Sequence, residues 1–105
     1  MRKVEEAMRK AVEMRVNWKS GNTEVKVRKD SDTIRTTVYL HGNNIYEVIE
    51  DHSTGFKTVG FTLSGWDTLT TRSRLRALGV DVSHVNGLPY FKGQVIDDFK
   101  WYSTL

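Results

Sequence analysis

The chain contains no cysteine, one proline and no long apolar run, and each of these features excludes a class of protein. Without cysteine there is no disulfide framework, thiol nucleophile, iron–sulfur cluster or cysteine-ligated zinc site. No apolar stretch approaches the roughly 20 residues that a membrane-spanning helix needs. The N-terminus is charged and no apolar segment follows it, so the sequence predicts no secretory signal. We therefore expect neither a membrane protein nor a secreted one.

Sequence motifs of known catalytic sites are missing as well. The chain has no H-E-x-x-H, G-x-S-x-G, P-loop or G-x-G-x-x-G pattern. Its three histidines, His41, His52 and His84, have no partner at metal-ligand spacing. We therefore expect no catalytic residue, no metal and no cofactor, and interpret the chain as a non-enzymatic protein.

The composition is typical of one small globular domain spanning residues 1–105. A length of 105 residues lies near the commonest domain size. Hydrophobic residues make up 38% of the chain and eight glycines add to them, which is within the globular range and excludes intrinsic disorder. The net charge of +3 is only mildly basic, so it does not by itself indicate a nucleic-acid-binding protein.

Residues 1–16 predict an amphipathic helix. Glu5–Arg9 and Glu6–Lys10 have the i,i+4 spacing and order that stabilise an exposed helix face. No glycine or proline interrupts the segment. Apolar residues recur with helical spacing at Val4, Ala7, Met8, Ala11 and Val12.

Residues 22–63 predict an antiparallel meander of four short strands. After Gly21-Asn22 the apolar period changes from helical to alternating, which is typical of half-buried strands. Polar and glycine-containing turns separate the alternating segments, and His41-Gly42 tolerates the positive φ of a tight hairpin. The expected strands cover residues 23–28, 34–40, 45–50 and 56–63.

Residues 67–78 predict a second, short helix. Asp67 or Thr68 is a suitable N-cap, because either side chain accepts hydrogen bonds from free backbone N–H groups. Gly79 stands where a left-handed C-cap glycine belongs.

Residues 80–96 predict a C-terminal β-hairpin, because Asn86-Gly87 is a strong two-residue turn signal. Pro89 lacks an N–H, so we expect its strand to lie at a sheet edge. Residues 97–105 form a short aromatic tail without an assigned structure. The fold class predicted from these segments is α+β.

Residues 65–78 contain a distinctive motif, Gly-Trp-Asp-Thr-Leu-Thr-Thr-Arg-Ser-Arg-Leu-Arg-Ala-Leu. This segment resembles a Gly-Trp-x-Thr-x-Thr-Thr-Arg-x-Arg-Leu-Asn-Ala-Leu motif in a family of small proteins encoded by many tailed bacteriophages. Asp67 stands where that family often has Pro, and Arg76 stands where it usually has Asn.

Two shorter segments add to the resemblance. Residues 40–45, Leu-His-Gly-Asn-Asn-Ile, look like a hairpin upstream of the motif in that family, and residues 90–93, Tyr-Phe-Lys-Gly, look like one downstream. The resemblance covers residues 36–96 and leaves out the N-terminal helix. It implies a bacteriophage protein that acts in the host cytoplasm, and it implies no particular activity.

The motif helix offers one candidate binding site. A helix N-terminus presents free N–H groups, and arginine side chains bind phosphate or carboxylate groups. The favoured interpretation is nevertheless structural, with an arginine paired to a carboxylate of the sheet and the threonines capping the helix. The candidate residues for an anion, a nucleic acid or a partner are Trp66, Thr70, Thr71, Arg72, Arg74 and Arg76.

The first 30 residues form a second basic region, with nine Lys or Arg against five Asp or Glu. Such an excess is typical of a nucleic-acid-binding face, and here it would use Lys3, Arg9 and Lys10. Acidic residues interleave with the basic ones, however, so an ordinary solvated helix face is the favoured interpretation.

The aromatic residues also allow two interpretations. Aromatic side chains in so small a domain mostly fill the core, which is the interpretation we favour. Alternatively they stack nucleic-acid bases, and if exposed they indicate a protein-binding patch. They include Trp18, Trp66, Trp101, Tyr39, Tyr46, Tyr90 and Tyr102.

These observations predict a phage accessory protein that binds and modulates a host macromolecule, as in host takeover or anti-defence. A host or phage protein is the favoured partner. A nucleic-acid-binding module that uses the basic N-terminal face and the arginine helix is the first alternative. A binder of a small phosphate-containing ligand is the second, and a homodimer stays open because exposed sheet edges need cover.

Overall fold

The computed structural model describes residues 2–104, and it confirms the α+β class. The helices are α1 (Lys3–Met14) and α2 (Leu69–Ala77). The strands are β1 (Trp18–Ser20), β2 (Thr23–Lys29), β3 (Thr33–Leu40), β4 (Asn43–Asp51), β5 (Lys57–Phe61), β6 (Val82–Val85), β7 (Leu88–Phe91), β8 (Gln94–Val95) and β9 (Tyr102–Ser103).

A six-stranded antiparallel sheet with the order β1-β2-β3-β4-β5-β9 forms the centre of the molecule. Strands β2 to β5 are the predicted meander, but the expectation of four strands was too low. Strand β1 pairs with β2 through a tight turn at Gly21-Asn22, and β9 pairs with β5 from the C-terminal tail. Both added strands are too short to show an alternating pattern, and both lie at the sheet edges.

A smaller sheet with the order β6-β7-β8 follows α2. Asn86 and Gly87 both have positive φ, which confirms the predicted tight hairpin between β6 and β7. The expectation that Pro89 marks an edge was wrong, because β7 is the middle strand. Its pairing with β8 begins at Tyr90, and Pro89 contributes only its carbonyl, which accepts from Ile96 N at 3.0 Å. The missing proline N–H is therefore not needed.

The two faces of the large sheet have different surroundings. The inner face carries Val25, Val38 and Phe61, which are fully buried, and it packs against Met8 of α1 and Leu75 of α2. Burial of each such side chain contributes roughly 1.5–3 kcal/mol to the free energy of unfolding. The outer face carries the alternating polar residues of the same strands, as expected of an antiparallel sheet with one solvated side.

Helix α1 covers its own sheet with its apolar face. It ends at Met14 rather than at residue 16, because Arg15 adopts a left-handed conformation with φ 55°. The expected Glu5–Arg9 pair does not form, since Glu5 is buried toward α2. Arg9 instead lies 3.6 Å from Glu13 on the exposed side of the helix.

Candidate functional site

Two segments that resemble the phage proteins meet at one cleft of about 480 Å³ with a mostly apolar lining. One segment is the hairpin between β3 and β4, and the other is the loop that leads into α2. We call this site the Trp66 cleft. Its lining residues are Leu40, His41, Asn43, Ile45, Leu63, Trp66, Thr68, Thr70 and Thr71.

The hairpin supplies the floor of the Trp66 cleft. His41 and Gly42 both have positive φ, so the chain reverses within two residues, as the sequence predicted. This turn places Leu40 and Ile45 on the buried side, where they are almost inaccessible to solvent. The Ser64 hydroxyl donates to the Asn44 carbonyl and ties the second segment to the hairpin.

The loop before α2 places Trp66 at the rim of the cleft. Trp66 N donates to the Leu63 carbonyl at 2.8 Å, closing a turn that passes through Gly65 at φ +78°. A side chain at Gly65 would meet the ring of Phe99, which lies directly over this glycine. The indole of Trp66 is 59% exposed, which is unusual for the largest apolar side chain.

Thr68 is the N-cap of α2, one of the two residues expected for this position. Its hydroxyl accepts from Thr71 N at 3.1 Å and lies 3.0 Å from the Thr71 hydroxyl. Thr71 is buried by this arrangement, whereas Thr70 remains half-buried at the cleft. At the other end of the helix, Gly79 has φ +90° and donates to the Arg76 carbonyl, as predicted for a C-cap glycine.

Arg72 and Arg74 point into the protein and are each about 95% buried. Arg72 forms an ion pair with Asp67, the residue that replaces the usual proline of the motif. The other carboxylate oxygen of Asp67, Oδ2, lies 3.4 Å from Nε2 of His84. The guanidinium of Arg72 is therefore occupied within the loop that precedes α2.

Arg74 joins both helices to the sheet. Its Nη1 lies 2.7 Å from Glu5 of α1, and its Nε donates to the Thr23 hydroxyl at 3.1 Å. Ser73 donates to the same Glu5 oxygen at 2.5 Å. Burial by itself would raise the pKa of Glu5, but the hydrogen bonds from Ser73 and Arg74, with the charge of Arg74, lower it overall.

Arg76 is exposed and donates to the Val82 carbonyl at 3.1 Å. It shares a second cleft, also of about 480 Å³, with Arg9, Glu13 and Glu50. The structure thus separates the predicted site residues. Trp66, Thr70 and Thr71 line the Trp66 cleft, whereas Arg72, Arg74 and Arg76 do not.

The basic residues expected on α1 are exposed. Lys3, Arg9 and Lys10 lie on the solvent side of the helix, and Arg9 is adjacent to Glu13. Exposure is expected of a solvated helix face and of a nucleic-acid-binding face alike, so both interpretations stay predictions.

The aromatic residues are divided between the core and the surface. Tyr46 is buried, and Trp18 and Tyr102 pack against the core, as favoured. The same expectation was wrong for Trp66 and Trp101, which are 59% and 47% exposed. Both lie in irregular segments at the ends of strands, where the sheet and the helices do not cover them.

Sequence reasoning missed the floor of the Trp66 cleft. Leu40, Ile45 and Leu63 were interpreted only as alternating strand residues. One signal could have pointed to this floor, because residues 40–45 and residues 65–78 both resemble the same phage proteins. The two segments are about 20 residues apart, however, and no sequence pattern indicated that they meet in the fold.

No helix of residues 2–104 is long and apolar enough to cross a membrane. No group of three or more His, Asp or Glu side chains is arranged there to hold a metal ion.

A family model described as Kyanoviridae Gp96 protein matches residues 1–104. No curated protein and no solved structure matches the chain. The family match supports the bacteriophage origin that the resemblance implied, and it includes α1, which the resemblance left out. The link between the motif at residues 65–78 and this family stays a prediction. The chain belongs to the Kyanoviridae Gp96 protein family, a family of bacteriophage proteins.

Proposed function

We propose that this phage protein is a non-enzymatic accessory protein that binds and modulates a host protein in the host cytoplasm. The observation that carries the proposal is the exposed Trp66 at the rim of a mostly apolar cleft. In this proposal an apolar side chain of the partner enters the cleft and packs against the indole.

Protein–protein interfaces concentrate their binding energy in a few large side chains next to well-packed pockets, and tryptophan is enriched among them. The Trp66 cleft offers such an arrangement, with buried apolar residues as its floor and threonine hydroxyls at its edge. Two further apolar side chains near Trp66 are exposed. They are Leu69, three residues along the chain, at 72%, and Phe99, whose ring lies over Gly65, at 78%. Exposed apolar patches are typical of interaction sites.

The charges around the cleft favour a protein over a phosphate-containing ligand. Among residues 2–104, no Lys or Arg lines the Trp66 cleft. Arg72 and Arg74, the nearest cations of the motif, are occupied by Asp67 and Glu5. A phosphate at the start of α2 would lie near the Asp67 carboxylate and would gain no free guanidinium.

The proposal is tested by affinity capture from host lysate with three immobilised proteins: the wild type, Trp66→Ala and Phe56→Ala. Phe56 is the matched control, because it is 75% exposed and lies at the opposite end of the sheet. Both variants remove an exposed ring, so both are expected to keep the fold, which thermal unfolding verifies. We expect one host protein to be retained by the wild type and Phe56→Ala, and at least tenfold less of it by Trp66→Ala.

Two results would contradict the proposal. One is capture of the same host protein by Trp66→Ala at the wild-type level. The other is the absence of any retained protein above background at both low and moderate salt.

A further inference from the structure

The outer face of the large sheet carries an open cleft of about 770 Å³ that the Trp66 cleft does not touch. Both helices and the small sheet pack against the inner face. The outer side chains of β1 to β4 are exposed or half-buried, except for Thr37, which is buried. We call this surface the outer basic face. The cations that line it are Lys19, Lys26, Arg28 and Arg35.

Two of these cations lie directly opposite each other. Arg28 of β2 and Arg35 of β3 are paired in the sheet register and are both exposed. Like charges at directly opposite positions of neighbouring strands destabilise a sheet. Arg35 is balanced by Glu47 at 3.1 Å, but no carboxylate of residues 2–104 lies within ion-pair distance of Arg28. An anion bound at this place would remove the repulsion.

The acidic residues of the outer basic face do not neutralise it. Glu47 is occupied by Arg35, and Glu24 lies opposite Lys19 in the register. Lys26 and Arg28 are therefore not neutralised by either glutamate. They lie two positions apart on β2. Their side chains point to the same side because alternate residues of a strand share a face.

Aromatic rings lie beside this charge. Tyr39 is half-buried on the same face, and the Lys26 ammonium lies 5.2 Å from the centre of its ring. Across the sheet, the ring of Trp101 lies 3.5 Å from the position that a Gly60 side chain would take. Gly60 pairs with Glu47, so Trp101 covers the same outer side of the sheet. The face therefore combines a cation cluster with two accessible aromatic rings.

We propose that the outer basic face binds single-stranded nucleic acid. Lys26, Arg28 and Arg35 contact the phosphodiester backbone, and Tyr39 and Trp101 stack unpaired bases. Cationic grooves with aromatic platforms are the general means of binding single strands, because every base has a face on which to stack. A duplex keeps its bases stacked inside and would leave both rings without a partner. This inference is independent of the partner protein proposed for the Trp66 cleft.

The test is fluorescence anisotropy with labelled 12-mers of oligo-dT and oligo-U, which separate DNA from RNA as the preferred strand. Release of counterions from about three phosphates predicts that affinity falls about 20-fold between 50 and 200 mM salt. The double variant Lys26→Ala/Arg28→Ala retains about one contact, so its affinity is expected to fall only about threefold over that range. At 50 mM salt this variant is expected to bind at least tenfold more weakly than the wild type.

The matched control is Lys3→Ala/Lys10→Ala, which removes the same charge from the exposed side of α1. It is expected to bind within twofold of the wild type at 50 mM salt. Tyr39→Leu is expected to bind about tenfold more weakly with an unchanged salt dependence, because it loses stacking and keeps the cations. Thermal unfolding of each variant verifies that the fold is retained.

Several outcomes would overturn the inference. One is the absence of binding to either oligonucleotide at 50 mM salt. Another is an affinity for a poly-glutamate 12-mer equal to that for the oligonucleotides. A third is an equal loss of oligonucleotide affinity in Lys26→Ala/Arg28→Ala and Lys3→Ala/Lys10→Ala, which would indicate that net charge alone attracts the strand. Equal affinity for poly-glutamate would indicate a site for acidic peptides. Tighter binding to a duplex of the same length would also contradict the assignment to single strands.

Discussion

At the residue level, the ion pair between Glu5 and Arg74 links the N-terminal helix to the motif helix. Both side chains are about 95% buried, and the pair is completed by Ser73 and Thr23. The attraction within a buried ion pair does little more than offset the free energy lost when its two charges leave water. Removing one partner is nevertheless destabilising, because the other charge then stays buried without compensation.

We therefore expect Glu5→Gln to lower the free energy of unfolding by about 3 kcal/mol at pH 7. Glu6→Gln is the control, because Glu6 is exposed on the same turn of α1, and its effect is expected to stay within about 0.5 kcal/mol. Urea unfolding measures both values. Equal effects of the two substitutions would show that the buried ion pair is not responsible.

The same residue predicts a pH dependence. The pKa of Glu5 is lowered in the folded state, so its contribution to stability is present above its ordinary value of 4.5 and is lost as pH falls through the folded pKa. The difference in unfolding free energy between the wild type and Glu5→Gln should therefore narrow when urea unfolding is repeated near pH 3. A difference that stays constant or widens on acidification would contradict the assignment.

At the level of elements, the turn before α2 depends on the contact between Gly65 and Phe99. An alanine at Gly65 would adopt a strained left-handed conformation and would displace the Phe99 ring, whereas Gly93 has the same φ of +78° and open space around it. We expect Gly93→Ala to cost about 1 kcal/mol from backbone strain and Gly65→Ala to cost more. In a Phe99→Ala background the two costs should become equal. Urea unfolding measures these costs with Gly65→Ala and Gly93→Ala, each with and without Phe99→Ala, against the wild type and Phe99→Ala as references. An excess cost at Gly65 that persisted without the Phe99 ring would refute this account.

The elements that could be predicted from sequence are those with local signals. Helix α1 has a sustained helical period, and the Asn86-Gly87 turn has its own conformational preference. Strand β1 was missed although Gly21-Asn22 is itself a hairpin signal, because that dipeptide was interpreted only as the point where the apolar period changes from helical to alternating. Strand β9 depends on its pairing with Phe61 and Gly60, about 40 positions earlier, and no local pattern reports such pairing.

The candidate site was predicted only in part for the same reason. Trp66, Thr70 and Thr71 were identified from one continuous motif, and they do lie at one cleft. The arginines of that motif allowed a ligand-binding and a structural interpretation. Arg74 follows the structural one, but its partner is Glu5 of α1, 69 positions away, and no sequence pattern indicated that pairing. A sequence shows which charges a helix carries, whereas the burial and pairing of those charges depend on tertiary packing.

At the level of the whole molecule, the sheet separates two surfaces of different chemistry. The Trp66 cleft lies where the inner-face packing ends and exposes apolar side chains, and the outer basic face carries unpaired cations. The sheet ends in the short edge strands β1 and β9, which limits edge-to-edge association. The two proposed interactions therefore use separate surfaces of the molecule.

The central claim is that a host protein contacts the Trp66 cleft, and site-specific photo-crosslinking tests it most directly. The photoreactive residue p-benzoylphenylalanine replaces Thr70 at the cleft or, as the control, the exposed Thr54 at the far end of the sheet. In illuminated host lysate, we predict one host-protein adduct from position 70, none from position 54, and loss of the adduct when Trp66→Ala is added. Adducts of equal yield from both positions, or none from position 70, would contradict the claim.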